Sequence, residues 1–280
     1  MTGPADLSDD ELVAHALAVH LLAGDDREVY DGCVAELQHR GTAGIRDRAT
    51  DLLGDARPQA RALGADVLGR LGEADGSPFA STSVPRLLAL LGGGEADPLV
   101  IDSTAAALGF LGDEAALEPL LALVDHPSFR VRGSVARALP SLVGEGAVLD
   151  ARDPVLRALL ELTTDPDAEV RNWATFGLGS RLAADGPEVR AALQARLLDG
   201  DDDTHAEALI GLVRRDVPGL VSAIQADLEA EAVGRLAVEA AREAADPALR
   251  PALEGLVGWW DVDVDLLEAA LVACAPDART

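Results

Sequence analysis

Lysine is absent from this 280-residue chain, so every one of its 23 basic residues is an arginine. The acidic residues number 49, and the net charge is −26 at pH 7. A surface of this sign repels the phosphate backbone, and we therefore expect no nucleic-acid partner. It attracts cations over several ångströms, so a basic protein is the partner class that the composition favours.

Cysteine, aromatic residues and long apolar runs are also scarce. The two cysteines, Cys33 and Cys274, lie near opposite ends and form no C-x-x-C pair, which argues against a disulfide scaffold or a zinc site. Aromatic residues make up 3% of the chain, and no apolar run reaches the eighteen residues that a membrane helix needs. The first residues show neither a basic segment nor a long apolar segment of a secretion signal. We expect a cytoplasmic monomer.

What the chain has instead is a repeated apolar pattern. One position recurs at intervals of 29 to 40 residues, occupied by Val29, Ala60, Val100, Val131, Val170, Thr204, Val233 and Val264. Each of these marker residues begins a stretch with apolar residues four apart, which is typical of an amphipathic helix. A period of this length indicates a repeat protein.

Between the markers lie second apolar segments that also predict helices. Examples are "SVPRLLALLGG" from Ser83 and "DPVLRALLELTTD" from Asp153, with Asp or Ser at the start and Pro in the first turn. Each repeat is therefore an antiparallel helix pair, and such pairs bury their apolar faces by stacking. The prediction is an all-α, right-handed solenoid of about eight pairs, forming a single domain over residues 1–280.

The stretch "DPDAEVRNWATFGLG", from Asp165 to Gly179, resembles a HEAT repeat, and most closely the bacterial phycobilin-lyase-type form. The resemblance extends over essentially the whole chain. It implies a ladder in which turn acids and the arginines that follow connect neighbouring repeats. The implied ladder residues are Asp55, Arg61, Arg132, Asp165, Arg171, Asp199 and His205. Tyr30, Ile101 and Gly234 stand where the pattern has Arg, so the ladder is interrupted there.

In solenoids of this kind the second helix of each pair lines the concave face. The repeat positions of Asn172, Thr175, Phe176 and Gly179 then define an inner surface, acidic in the first half and mixed or apolar in the second. The candidate partner-binding residues on it are Asp31, Gln38, Asp66, Asp102, Arg137, Asn172, Phe176, Ile210, Arg235, Glu239 and Arg242. Small residues between them leave room for an inserted helix.

Two stretches resemble motifs for ion or phosphate binding, but each lacks residues that the motif requires. "DVDVDLLEAALV" from Asp261 begins like a calcium loop, but Leu266 and Val272 stand where Gly and Glu are needed. "LLGGGEAD" from Leu90 is glycine-rich, yet no Lys-Ser/Thr follows. We predict no catalytic residues, cofactor or metal.

These observations favour a scaffold or adaptor that holds a protein partner in a partly acidic groove. A narrower alternative is an inhibitor or immunity-type protein that neutralises a basic protein. Because fold does not fix function, two enzyme-like alternatives stay open: a bilin-lyase-type protein and an alkylpurine DNA glycosylase-like one.

Overall fold

Helices account for the regular structure of the computed structural model, which describes residues 4–21 and 27–276. The chain falls into two compact units, Met1–Gly144 (unit 1) and Glu145–Thr280 (unit 2). Unit 1 holds α1 Asp9–Leu21, α2 Arg27–Arg40, α3 Ala43–Leu52, α4 Pro58–Gly69, α5 Ala80–Gly92, α6 Pro98–Leu111, α7 Leu117–Leu121 and α8 Phe129–Val143. Unit 2 holds α9 Pro154–Leu162, α10 Ala168–Phe176, α11 Pro187–Arg196, α12 Asp202–Val213, α13 Val221–Leu228, α14 Arg235–Ala244, α15 Arg250–Leu256 and α16 Val264–Ala273.

The helices pack as the repeat predicts. Each odd-numbered helix lies against the even-numbered helix that follows it, which makes eight pairs. Within unit 1, α2, α4, α6 and α8 stack in order, and within unit 2, α10, α12, α14 and α16 do the same. The all-α architecture of stacked helix pairs is confirmed, and the described residues contain no strand. The handedness of the superhelix and the single-domain organisation stay predictions.

The marker residues explain why neighbouring pairs stack. Ala60, Val100, Val131, Val170 and Thr204 are fully buried. Their leucine neighbours, such as Leu108 and Leu139, are also inaccessible to solvent. Burial of a side chain of that size contributes about 1.5–3 kcal/mol, so the marker stripe is the main apolar contribution of each second helix.

Aspartates fix where several of these helices begin. Asp97, Asp167 and Asp201 accept a hydrogen bond from a backbone N–H of the first turn of α6, α10 and α12. Such a cap satisfies one of the N–H groups that a helix start leaves without a partner. None of the helices in the described part of the chain has the length and apolar character that crossing a bilayer requires.

The contact between α6 and α8 depends on a glycine. A Cβ on Gly109 would lie 2.5 Å from the Cβ of Ala138, so the two helices approach more closely than any other residue allows. We expect Gly109→Ala to lower the free energy of unfolding by about 1–3 kcal/mol, because the helices must separate. Thermal unfolding followed by far-UV circular dichroism measures this.

Gly92, at the end of α5, provides the matched control. A Cβ there would meet nothing within 4 Å, so Gly92→Ala should leave stability unchanged or raise it by up to about 1 kcal/mol. A Gly109→Ala protein that unfolds at the same temperature as Gly92→Ala would contradict the close approach of α6 and α8.

Candidate functional site

The predicted ladder acids lie in the turns that precede the second helices, and the basic ladder residues lie near the start of those helices. The guanidinium of Arg61 donates to both carboxylate oxygens of Glu95, at 2.7 and 3.0 Å, in the turn of the next pair. Arg171 binds Asp199 in the same two-pronged way, at 2.8 and 2.7 Å. His205 continues the series with its Nε2 3.1 Å from the Asp227 carboxylate. These bonds connect consecutive helix pairs.

Each ladder arginine also donates a hydrogen bond to a main-chain carbonyl of the turn that precedes its helix. Arg61 Nη1 donates to the carbonyl of Asp55 at 3.0 Å, and Arg171 Nη1 donates to that of Asp165 at 3.0 Å. Arg132 Nη1 donates to the carbonyl of His126 at 2.8 Å. The six-residue spacing therefore reflects a bond from the arginine to a main-chain oxygen.

The carboxylates of the turn acids do not cap the second helices. The carboxylate of Asp165 accepts the N–H of Asp167 at 2.9 Å, and it is Asp167 that caps α10. Asp199 and Asp201 divide the two tasks in the same way at α12. The Asp55 carboxylate binds Arg57, two residues on, at 2.9 Å. At α10 and α12 the turn uses two carboxylates two residues apart, one to close the turn and one to cap the helix.

A row of carboxylates and hydroxyls crosses the second helices of unit 1. We define the carboxylate row as Tyr30 of α2, Asp66 of α4, Asp102 and Ser103 of α6, and Ser134 of α8. Tyr30 Oη donates to Asp66 Oδ2 at 2.6 Å, and Ser134 Oγ donates to Asp102 Oδ1. Gln38 Nε2 adds a bond to the Asp66 carbonyl at 2.7 Å. Among the predicted residues, Gln38, Asp66 and Asp102 thus lie together.

The protonation of Asp66 is strongly affected by this setting. Burial raises the pKa of Asp66 to about 6; hydrogen bonds from Tyr30 and Ser103 oppose that rise, and the charge of Asp102 adds to it. Burial, and then the Asp66 carboxylate, also raise the pKa of the Tyr30 phenol. Hydroxyl groups surround Asp66 and the charge of Arg27 adds only the smallest effect, so the carboxylate is stabilised without a full counter-charge.

Two other predicted residues of unit 1 lie beside the row. Asp31 is exposed and sits 3.6 Å from Arg27. Arg137 lies over the ring of Phe110 at 5.1 Å, and Arg70 lies over the same ring at 4.6 Å. Phe110 is 49% exposed despite these neighbours, which makes it an accessible aromatic surface.

The predicted residues of unit 2 are more dispersed. Asn172 and Phe176 are half-buried on α10, where Phe176 makes an edge-to-face contact of 5.9 Å with Trp173. Glu239 of α14 pairs with Arg235 at 2.9 Å and lies 3.9 Å from Arg242. This end of the predicted surface is a network of ion pairs.

Ile210 requires a correction, because it is 1% exposed and belongs to the apolar core of unit 2. Glu207 of α12, which the sequence pattern missed, is 7% exposed and makes a polar contact within unit 2. Ser180 Oγ donates to Glu207 at 2.8 Å. Burial raises the pKa of Glu207, and the nearby charge of Glu239 adds to the effect.

Comparison with known proteins identifies the repeat. Residues 51–140 and 84–178 match the family model of HEAT repeats. Residues 51–178 of the chain therefore carry HEAT repeats. The chain is 30% identical to protein YibA of Escherichia coli strain K12 over 113 residues. That match spans 40% of this chain and 40% of the length of YibA.

Two solved structures are similar to this chain in fold. The X-ray structure of Escherichia coli YibA aligns over 97% of this chain and 93% of its own, with a TM-score of 0.63 and 21% identity. The complex of CpcE and CpcF of phycocyanin lyase from Nostoc sp. PCC7120 aligns over 82% and 93%, with a TM-score of 0.51 and 17% identity. Both likenesses concern the fold.

Among the described residues, no three His, Cys, Asp or Glu side chains are arranged to bind a metal ion. The carboxylate row accordingly presents two acids, Asp66 and Asp102, without a third ligand. The chemistry that this arrangement supports is the binding of a cationic group by hydrogen bonds and charge.

Proposed function

We propose that this protein is a cytoplasmic scaffold or adaptor that binds a basic segment of a protein partner at the carboxylate row of unit 1. The observation that carries the proposal is Asp66, a half-buried carboxylate held by hydroxyls with a pKa raised to about 6. A buried acid of this kind costs the folded protein free energy at neutral pH. Perturbed acids are concentrated at functional sites, where a ligand offsets their cost.

The surroundings of Asp66 favour a cation with an apolar neighbour. A guanidinium or ammonium group would supply the counter-charge that Tyr30 and Ser103 do not. One turn further along α4, Arg70 covers Phe110, whose exposed ring offers an apolar contact. An amphipathic helix or extended segment with a basic residue beside an apolar one fits both features.

The charge of the whole chain supports the same partner class. A net charge of −26 accelerates the approach of a basic protein and disfavours acidic competitors. An inhibitor of a basic protein is a special case of this binding. The likeness to the phycocyanin lyase complex concerns the fold, and it therefore adds no support for a lyase.

Affinity capture tests the proposal. Immobilised wild-type protein should retain a basic protein from native lysate at about equal amounts, identified by mass spectrometry. The double variant Asp66→Asn, Asp102→Asn should retain at least about tenfold less of it, since removing a charge from a buried pair costs 2 kcal/mol or more. Glu118→Gln, an exposed acid on the first helix α7 and outside the predicted binding residues, is the control and should behave as wild type.

Two results would count against this function. One is a partner recovered equally by wild type and the double variant. The other is an acidic protein, or no protein, retained in stoichiometric amount by the wild type.

A further inference from the structure

A second surface with binding character lies in unit 2, where two adjacent tryptophans face different environments. Trp260 is 4% exposed, and its Nε1 donates to the carbonyl of Val233 at 2.8 Å. Trp259 is 56% exposed. Trp260 thus anchors this segment to the core of unit 2. Trp259 points away from that core, so the packing of unit 2 does not explain why a large aromatic side chain is present at this position.

The exposed ring of Trp259 is nevertheless fixed. Its Nε1 donates to the carbonyl of Gly255 at 2.7 Å. Gly258, the residue before it, has φ of +90°, which side-chain-bearing residues rarely adopt, and so Gly258 sets the direction in which Trp259 leaves the backbone. Because the hydrogen bond to Gly255 and the backbone at Gly258 already restrict the indole, it loses little conformational entropy when a ligand contacts it.

Trp259 forms one wall of a cleft between α13 and α15, the first helices of the seventh and eighth pairs. The cleft has a volume of about 380 Å³, within the range of ligand pockets. Leu228, Ala252 and Leu256 supply apolar lining, and Pro251 lies on the α15 side. We call this site the Trp259 cleft.

The charge of the cleft is negative. Glu229 is the one charged residue among the described residues that line it, and it is exposed at the end of α13. Beside the cleft, Arg250 is paired with Glu254 at 2.8 Å, so its charge is balanced. Tryptophan binds cations over its ring face better than the other aromatic side chains do.

We propose that the Trp259 cleft is a second docking site, which binds a Lys- or Arg-containing segment of a protein. The cationic group stacks on the Trp259 ring and pairs with Glu229. An apolar side chain next to it enters between Leu228 and Leu256. This site lies on first helices of unit 2, whereas the carboxylate row lies on second helices of unit 1. The two sites share no residues, so an experiment can disprove binding at one site without affecting the proposal for the other.

The first test uses a displayed library of random twelve-residue peptides, selected on wild-type protein and counter-selected on Trp259→Ala. We expect enriched peptides to contain Lys or Arg beside an apolar residue. Enrichment of acidic or uncharged sequences would overturn the proposal, as would peptides that Trp259→Ala retains equally. Dimerisation of the wild type that Trp259→Ala abolishes would overturn it too, because the occupant would then be a second copy of the chain.

The second test measures the Kd of a dye-labelled enriched peptide by fluorescence polarisation. Trp259→Ala should raise Kd about tenfold, and Trp259→Phe should give an intermediate value because a weaker aromatic face remains. Glu229→Gln should raise Kd several-fold and reduce its dependence on salt. Leu198→Ala, which removes an exposed apolar side chain outside the cleft, is the control and should not change Kd.

Equal Kd values for wild type, Trp259→Ala and Glu229→Gln would overturn the proposal. The thermal midpoints of the Trp259 variants should match that of wild type, because Trp260 retains its place in the core. The double variant of the carboxylate row, Asp66→Asn with Asp102→Asn, should bind the peptide as wild type does. That result distinguishes a failure of this site from a failure of the proposed function.

Discussion

Replacing Arg215 with Met is expected to lower the free energy of unfolding of unit 2 by about 4 kcal/mol or more. Arg215 is 8% exposed and donates only to main-chain oxygens among the bonds that the structure defines. Its acceptors are the carbonyls of Leu178, Gly179, Leu182, Ala184 and Gly211. Most of them belong to or follow the π-helical turn Gly177–Arg181, so the variant leaves several buried acceptors without a donor.

Urea unfolding followed by tryptophan fluorescence measures this effect in unit 2, since all three tryptophans of the chain lie after residue 145. Arg214→Met is the matched control on the same helix end. Arg214 donates one exposed bond to the carbonyl of Ser180 at 3.1 Å and makes partly exposed contacts with Glu239 and Glu243, at 3.8 and 3.5 Å; such pairs contribute about 1 kcal/mol or less. Equal losses for the two variants would show that the carbonyl bonds of Arg215 do not stabilise the turn.

Arg171→Met is expected to cost about 2–3 kcal/mol, somewhat less than the loss of a fully buried pair. The side chain of Asp199 is 3% exposed, and without Arg171 it keeps one ion pair, with Arg196 at 3.1 Å. In the wild type, hydrogen bonds from Arg171 lower the pKa of Asp199 despite its burial. Stability from a lowered carboxyl pKa is present above the unfolded value near 4 and is lost as the pH falls through the folded value.

The cost of Arg171→Met should therefore be largest near pH 7 and shrink below about pH 4. Tryptophan fluorescence across a pH series measures it, because Trp173 is on the same helix as Arg171. Arg190→Met is the control in the same unit, since its pair with Asp185 is exposed and screened by solvent, and we expect little or no change there. A cost that does not vary with pH would mean that Arg171 acts by packing alone.

The fold could be predicted from the sequence because its cause is local and repeated. A marker residue such as Val131 or Val170 defines the apolar stripe of its own helix, and the same stripe returns in every repeat. Val264 departs from this pattern and is 52% exposed. In the described part of the chain no further helix pair packs on α16, so its marker has nothing to be buried against.

The contacts of the site could be predicted less well because they join residues about one repeat apart. Tyr30 stands where the ladder pattern has an arginine, so the sequence of its own repeat indicates no partner for it. Its hydroxyl nevertheless donates a hydrogen bond to Asp66, 36 residues later. The acceptor of Arg61 is Glu95, 34 residues later, in the glycine-rich stretch that the sequence analysis considered only as a phosphate-binding loop. Pairing each polar residue with those one period away would have found both contacts.

Residues at irregular points escaped sequence reasoning altogether. The acceptors of Arg215 lie 4 to 37 residues away around a π-helical turn, a geometry with no periodic signal. Ile210 was assigned to the surface because it occupies the repeat position of Phe176, which is half-buried. Ile210 is instead 1% exposed and belongs to the apolar core that contains Val238 and Ala241, so the repeat position alone does not determine exposure.

The free energy of unfolding of Asp66→Asn as a function of pH tests most directly the claim that the carboxylate row is kept for a ligand. The pKa of Asp66 is raised to about 6, above an unfolded value near 4, so the folded state holds the proton more tightly. Wild-type stability should then fall relative to the variant as the pH rises from about 4 to 6. Asp31→Asn serves as the exposed control, and far-UV circular dichroism in urea provides the signal for unit 1.

At pH 7.5 we predict that Asp66→Asn is more stable than wild type by about 1–3 kcal/mol, while it retains less of the captured partner. A gain in stability with a loss of binding is the signature of an acid maintained for a partner. A variant that is less stable than wild type at pH 7.5, with no change in their difference between pH 4 and 7, would contradict the claim and make Asp66 a structural residue.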